Sequence, residues 1–136
     1  ALRLLRKAEQ DLVLMTKVLA DPEVADEIIG FHAQQTMEKA LKAVLLVRGI
    51  PYRRTHDLAE LLDLCADAGI EVPSELALVD EYTPFAVMRR YEIDDYDAST
   101  LDRVKATHLA NMALRWAETL VAACEDDDPE ETPGMS

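Results

Sequence analysis

The stretch AQQTMEKALKAVLLV, residues 33–47, predicts one helix and decides the fold. Most of its residues are alanine, leucine, valine or methionine, which fill hydrophobic cores. Polar side chains interrupt this apolar surface at spacings of three and four residues, which places them on one face of a helix. We call this face the polar stripe, and its members are Gln35, Glu38, Lys39 and Lys42. The sequence therefore predicts a helix with a broad core-facing side and a narrow charged line.

Helical periodicity extends through most of the chain, and the sequence lacks the sustained two-residue alternation of a strand. Capping residues, glycines and prolines divide the pattern into five segments. We predict an all-α protein, an up-and-down bundle of four long helices plus a shorter broken helix. The predicted segments are residues 2–20, 23–48, 56–68 with Thr55 as the cap, about 75–90 with a break at Pro84, and a last helix from a cap at Asp97 or Ser99 to about 123.

The composition predicts a single domain followed by an acidic tail. A chain of 136 residues can bury one hydrophobic core. Six carboxylates lie among the last twelve residues, so we expect residues 1–124 to form the domain and residues 125–136 a disordered tail. Two isolated cysteines, Cys65 and Cys124, favour a reducing cytoplasm over a disulfide or metal site. No apolar run reaches the length of a membrane span, so we expect no membrane association.

The net charge of -13 argues against general binding to DNA, RNA or acidic membranes. Basic residues nevertheless concentrate in the polar stripe, in the connection after the second helix, and in an Arg-Arg-Tyr step. One interpretation is a local anion site. The other is a solvated helix face held by a Glu38–Lys42 pair. The basic groups concerned are Lys39, Lys42, Arg53, Arg54, His56, Arg89 and Arg90.

The run FHAQQTMEKALKA, residues 31–43, resembles the second-helix signature of HEPN (higher eukaryotes and prokaryotes nucleotide-binding) domains. Two later steps fit the same pattern: Thr55-His56-Asp57-Leu58 opens the next helix, and Arg90-Tyr91 precedes the last one. The resemblance covers about residues 2–124. It implies a bundle of four to five helices, commonly dimeric, that binds a nucleotide or a protein partner. Carried over by position, the nucleotide- or anion-binding residues are Gln35, Glu38, Lys39, Lys42, His56, Asp57, Arg89, Arg90 and Tyr91.

The chain departs from the pattern of ribonuclease members of the family, in which an arginine is followed four to six residues later by a histidine. There the histidine can move a proton while the arginine stabilises the charged phosphorane. Residues 94–97 read Asp-Asp-Tyr-Asp, so no histidine follows Arg90 at that spacing. Arg103 and His108 make one formal match, but five residues of helix separate two side chains by about 140°.

These observations predict a non-catalytic HEPN module that requires no cofactor and binds a nucleotide, ATP or GTP, or a protein partner. The resemblance implies a homodimer, and it implies a minimal nucleotidyltransferase as partner, because many prokaryotic members accompany one in toxin–antitoxin pairs. Two alternatives stay open. One is a metal-independent endoribonuclease toxin that acts on RNA, with Arg103 and His108 or an unrecognised pair as the catalytic residues. The other is a purely structural oligomerisation module.

Overall fold

A computed structural model of the chain describes residues 1–86 and 101–127, and within this part it contains helices and no strand. The predicted all-α bundle is confirmed. A 3₁₀ segment lies between the third and fourth α-helices and is the predicted broken element. The elements are α1 (Leu2–Val18), α2 (Asp26–Val47), α3 (Leu58–Asp67), the 3₁₀ segment (Ser74–Ala86) and α4 (Arg103–Asp127).

Helix α2 lies at the centre of the bundle and packs against all the other elements. The broad apolar side predicted for it is buried, which confirms the assignment of its core face. Helix α4 meets α2 through small side chains, which let two helices approach closely. The buried residues of these two faces are Ala33, Met37, Ala40, Leu41 and Val44 on α2, and Ala106, Ala110, Ala113, Leu114 and Ala117 on α4.

Helix α2 begins at Asp26, three residues later than predicted, because Asp21 stabilises a turn instead of capping the helix. Its side-chain Oδ1 accepts a hydrogen bond from the Glu23 backbone N–H at 2.9 Å. Its carbonyl accepts another from the Val24 N–H at 3.2 Å. Such local bonds compete with helix initiation, so the chain turns before α2 starts.

Helix α2 ends as predicted at Gly49, which has a φ of +70°. Gly49 N–H donates to the Leu46 carbonyl at 3.1 Å, and Ile50 N–H donates to the Leu45 carbonyl at 2.9 Å. This pair of bonds is a Schellman motif, and its left-handed residue favours glycine. The motif turns the chain toward the connection that carries His56.

Helix α3 is capped by Asp57, so the predicted cap at Thr55 is wrong by two residues. Asp57 Oδ1 accepts from the N–H groups of Ala59 at 3.0 Å and Glu60 at 3.3 Å. Thr55 instead accepts from the Asp57 N–H through its hydroxyl. His56 therefore lies before the helix, in a turn that faces α2.

The segment predicted as a kinked fourth helix is a 3₁₀ helix with Pro84 near its end. Proline has no N–H to donate to a carbonyl four residues back, so an α-helical ladder cannot pass through it. The Thr83 hydroxyl accepts the Leu58 N–H at 3.1 Å and thereby joins this segment to the start of α3.

Helix α4 begins at Arg103, where the Asp102 side chain accepts the Lys105 N–H at 3.0 Å. The predicted caps Asp97 and Ser99 lie outside the described residues. The helix reaches Asp127, three residues into the segment predicted to be a disordered tail, since neither glutamate nor aspartate stops a helix as proline does. Residues 128–136 lie outside the described part. Among the described helices, none combines the length and the apolarity needed to cross a membrane.

Candidate functional site

The polar stripe of α2 is largely covered, so the interpretation as a solvated helix face is wrong. Glu38 is only 5% exposed. The side chains of Lys39 and Lys42 are 22% and 14% exposed. The predicted Glu38–Lys42 pair does form, with Lys42 Nζ 2.8 Å from Glu38 Oε2. The stripe divides between two neighbours, because Glu38 and Lys42 face the connection before α3 whereas Lys39 faces α1.

Glu38 is the centre of a compact set of hydrogen bonds between α2 and that connection. Its Oε1 accepts from Gln34 Nε2 at 2.7 Å and lies 2.8 Å from His56 Nδ1. Gln34 Nε2 also approaches the His56 backbone oxygen at 3.4 Å. We call Gln34, Glu38, Lys42 and His56 the Glu38 cluster. It fixes the turn before α3 onto the middle of α2.

The Glu38 carboxyl is held in its charged form by its neighbours. Burial alone would raise its pKa, but the hydrogen bonds from Lys42, Gln34 and His56 outweigh that effect and hold the pKa below 4.5, the ordinary value of a glutamate. A buried charge needs such partners, because an unpaired one costs several kcal/mol, on the order of the whole stability of a domain. The cluster is therefore preorganised around a carboxylate.

This lowered pKa predicts how stability depends on pH. The stabilisation contributed by ionised Glu38 is complete above pH 4.5 and is lost as pH falls below 4.5 through the lower folded-state pKa. We expect the free energy of unfolding, measured in urea between about pH 3 and pH 7, to fall more steeply in acid for the wild type than for Glu38→Gln. Parallel curves below pH 4.5 would contradict the assignment.

Gln34 belongs to the cluster and was missed by the sequence-based selection of site residues. It is fully buried. The signal that could have found it is its position four residues before Glu38, on the same helix face. The predicted residue Gln35 supports the cluster from outside, since its Nε2 donates to Gln34 Oε1 at 2.7 Å.

Lys39 belongs to a second group on the α1 side of α2. Its Nζ lies 2.5 Å from Asp11 Oδ2, and His32 Nδ1 lies 2.8 Å from Asp11 Oδ1. Asp11 is 28 residues away along the chain from Lys39, so helical spacing gave no sign of this contact. The structure thus separates Lys39 from the other members of the predicted anion site.

Arg53, Arg54 and Asp57 of the predicted anion site lie before α3 and do not join the Glu38 cluster. Asp57 is used as the helix cap, and Arg53 makes a bidentate ion pair with Glu60, at 2.7 Å and 2.6 Å. Arg54 is exposed and has no hydrogen-bonded or ionic partner within the described residues. Of the predicted site, His56 and Lys42 are joined through Glu38, while Arg89, Arg90 and Tyr91 lie outside the described residues.

Arg103, half of the formal ribonuclease match, is bound to the turn between α1 and α2. Its Nε donates to Asp26 Oδ1 at 2.6 Å. Four of its five N–H groups are occupied, so the side chain acts as a clamp, and little of it is available to a phosphate. The three further acceptors are the backbone oxygens of Leu19, Asp21 and Val24. His108 is exposed and lines a groove between α1 and α4.

Removing this clamp is expected to destabilise the bundle. Arg103→Ala strands the Asp26 carboxylate and three carbonyls, so we expect a loss of about 2 kcal/mol in the free energy of unfolding. The matched control is Arg115→Ala, whose exposed ion pairs with Glu9 and Glu118 should contribute less than about 1 kcal/mol. Urea denaturation of the two variants compares them, and equal losses would contradict the clamp.

The groove between α1 and α4 has a volume of about 630 Å³ and mainly apolar walls. Val13 on α1 and Val104 on α4 expose 38% and 70% of their surface beside it. A contiguous exposed apolar patch across two adjacent helices can mark an association surface. We call this feature the α1–α4 groove.

The described part of the chain provides neither a reactive thiol at Cys65 nor a metal-binding cluster. Burial raises the pKa of the Cys65 thiol to about 11, against a smaller opposing effect of Arg48, so the thiol stays protonated at neutral pH. Residues 1–86 and 101–127 hold no group of three or more histidine, cysteine, aspartate or glutamate side chains that could bind a metal ion.

Comparison with known proteins assigns the family. The HEPN domain family matches residues 1–126, which is nearly the whole chain. The chain belongs to the HEPN domain family. It is also similar over 50 residues, with 40% identity, to "Putative toxin MJ1304" of Methanocaldococcus jannaschii. That match covers 37% of this chain and 32% of that protein, so the chain spans about a third of the length of the curated relative it matches. No solved structure matches the chain.

Membership confirms the resemblance carried by the α2 signature and the Thr55-His56-Asp57-Leu58 step. In this HEPN domain both motifs meet at the Glu38 cluster, because α2 supplies the carboxylate and the second motif supplies His56. The cluster is therefore the part of the fold where the two described family motifs touch.

Proposed function

We propose that this HEPN domain is a toxin-like, non-catalytic module that binds a nucleotide at the Glu38 cluster. The observation that supports it most is the buried carboxylate bonded to three donors from two elements. Buried ion pairs are weak contributors to stability, and apolar replacements are often as stable. A preorganised polar cluster built around a buried charge is typical of a binding site.

The charges that meet the phosphates differ from those expected from the sequence. Lys39 and Lys42 were expected to neutralise phosphate, but each is already paired with a carboxylate. Arg53 is likewise paired with Glu60, so Arg54 remains, which is exposed and precedes His56 by two residues. In the proposed complex Arg54 contacts the phosphates, while the Glu38 cluster holds His56 and the turn in place.

Titration with ATP and GTP, followed by calorimetry, tests this binding. Losing a charge-assisted contact from Arg54→Ala should weaken binding roughly 10- to 100-fold. The matched control is Arg3→Ala, which removes an exposed arginine on α1 outside the groove and should leave the affinity unchanged. Absence of binding for both nucleotides, or equal losses for the two variants, would overturn the proposal.

A protein partner forms the second part of the proposal. We propose that the domain forms a homodimer through the α1–α4 groove and works beside a minimal nucleotidyltransferase, as one component of a toxin–antitoxin-like pair. The exposed apolar walls of the groove support association, and the name of the archaeal relative supports the toxin-like role. The nucleotide bound at the Glu38 cluster would be ATP or GTP.

Mass measured by light scattering during gel filtration tests the dimer. Val104→Glu places a charge on the groove and should shift the protein toward the monomer. Leu78→Glu, at an exposed position on the 3₁₀ segment, is the control and should leave the mass unchanged. Purification of the tagged chain from its host identifies the partner, and a copurifying nucleotidyltransferase at fixed stoichiometry is the expected result.

A further inference from the structure

The orientation of the His56 ring is fixed from one side only. Nδ1 lies 2.8 Å from Glu38 Oε1, and the backbone of the same residue is approached by Gln34 Nε2. The other ring nitrogen, Nε2, lies across the ring from Nδ1. The side chain is 56% exposed, and no residue of the described part bonds Nε2. Nε2 of His56 is therefore accessible to a ligand, while Nδ1 is occupied by Glu38.

The Glu38 carboxylate determines whether His56 Nε2 donates or accepts a hydrogen bond. A carboxylate only accepts hydrogen bonds, so the hydrogen between it and the ring belongs to Nδ1. With Nδ1 carrying the hydrogen of the neutral imidazole, Nε2 carries a lone pair and accepts. An ionised phosphate brings no donor to such an atom, whereas a hydroxyl does.

We propose that His56 Nε2 accepts a hydrogen bond from a ribose hydroxyl of the bound nucleotide, and that Glu38 is the positioning residue that gives Nε2 this role. The inference rests on the proposed nucleotide binding. Arg54 precedes His56 by two residues, so the anion contact and the acceptor lie close together. In a nucleotide the ribose hydroxyls are the donors nearest the phosphates, while the donors of the base are at the far end.

Two substitutions separate the positioning role from the contact itself. In Glu38→Gln, Lys42 requires the amide oxygen, so the amide N–H₂ turns toward His56, and Gln34 must turn its own amide oxygen toward that N–H₂. Nδ1 then becomes the acceptor, and Nε2 becomes a donor. In His56→Asn, the side-chain amide can still donate to Glu38, but no atom reaches the position of Nε2. The control is Glu60→Gln, which removes the same charge from α3. Glu60 contacts Arg53 and not His56.

The experiment compares binding of ATP with binding of 2′,3′-dideoxyATP, and GTP with its dideoxy form, to the full chain at a fixed pH. One lost hydrogen bond corresponds to a preference of roughly three- to tenfold for the ribonucleotide in the wild type. We expect Glu60→Gln to keep this preference and both Glu38→Gln and His56→Asn to lose it. Circular dichroism and urea denaturation verify that each variant is folded.

Nitrogen NMR of the His56 ring gives a readout that does not depend on binding. We expect the hydrogen on Nδ1 in the wild type and in Glu60→Gln, and on Nε2 in Glu38→Gln. A wild-type ring with its hydrogen on Nε2 overturns the inference. Equal binding of ribo- and dideoxynucleotides overturns the ribose contact while the proposed function stands. Absence of binding for all four ligands overturns the proposed function and the ribose contact together.

Discussion

Glu38→Ala is expected to lower the free energy of unfolding by about 3–5 kcal/mol, the largest effect of any single change in the cluster. The substitution deprives Lys42, whose side chain is only 14% exposed, of its carboxylate, and it removes the acceptor of both Gln34 and His56. Uncompensated groups in a covered site cost more than the original pair contributes. Urea denaturation at pH 7 measures the change.

The double substitution Glu38→Leu with Lys42→Met provides the matched comparison. Replacing a buried ion pair by apolar side chains of similar volume is often neutral. We therefore expect the double variant to recover much of the stability lost in Glu38→Ala while losing nucleotide binding. A double variant as unstable as Glu38→Ala would show that packing of the site, and not the stranded charge, causes the loss.

Gly30→Ala is expected to destabilise the bundle by about 3 kcal/mol, although alanine is the better helix former by about 1 kcal/mol. A Cβ at this position of α2 would lie 2.4 Å, 2.6 Å and 2.7 Å from three ring atoms of Phe85. Phe85 is only 2% exposed and packs beside Tyr82 at a centroid distance of 6.2 Å, so the ring has little room to withdraw. Thermal and urea denaturation both measure the effect.

A double-mutant cycle shows whether the ring is the cause. In a Phe85→Ala background the space above Gly30 is empty, and the same Gly30→Ala change should be neutral or stabilising by up to about 1 kcal/mol. An equal cost in both backgrounds would contradict the close contact between α2 and the 3₁₀ segment.

The fold was predictable where local rules act alone. The apolar spacing of α2 predicted its buried face, and Gly49 predicted its end, because both depend on residues next to each other in the helix. The helix starts were less predictable. Asp21 and Asp57 are equally good caps by composition, yet only Asp57 caps a helix, since the Asp21 oxygen bonds within its own turn.

The candidate site was predictable in part. The Glu38–Lys42 pair follows from helical spacing, and its geometry confirms that prediction. Burial of the stripe was not predictable, because it depends on contacts between α2 and residues 18 or 28 positions away along the chain. Arg103 illustrates the same limit, since its partners on the α1–α2 turn lie 77–84 residues earlier. The bound nucleotide, the partner and the dimer stay predictions.

The Arg103 clamp also has a consequence for synthesis on the ribosome. The turn between α1 and α2 is closed by a side chain that emerges only after more than a hundred residues have been made. The alanine face of α4 that seals the core follows still later, up to Val121. The nascent chain must therefore hold α1 and α2 with an uncovered apolar seam until α4 has been made. We expect an early stop before α4 to yield a fragment with an exposed apolar face, which proteases and chaperones recognise.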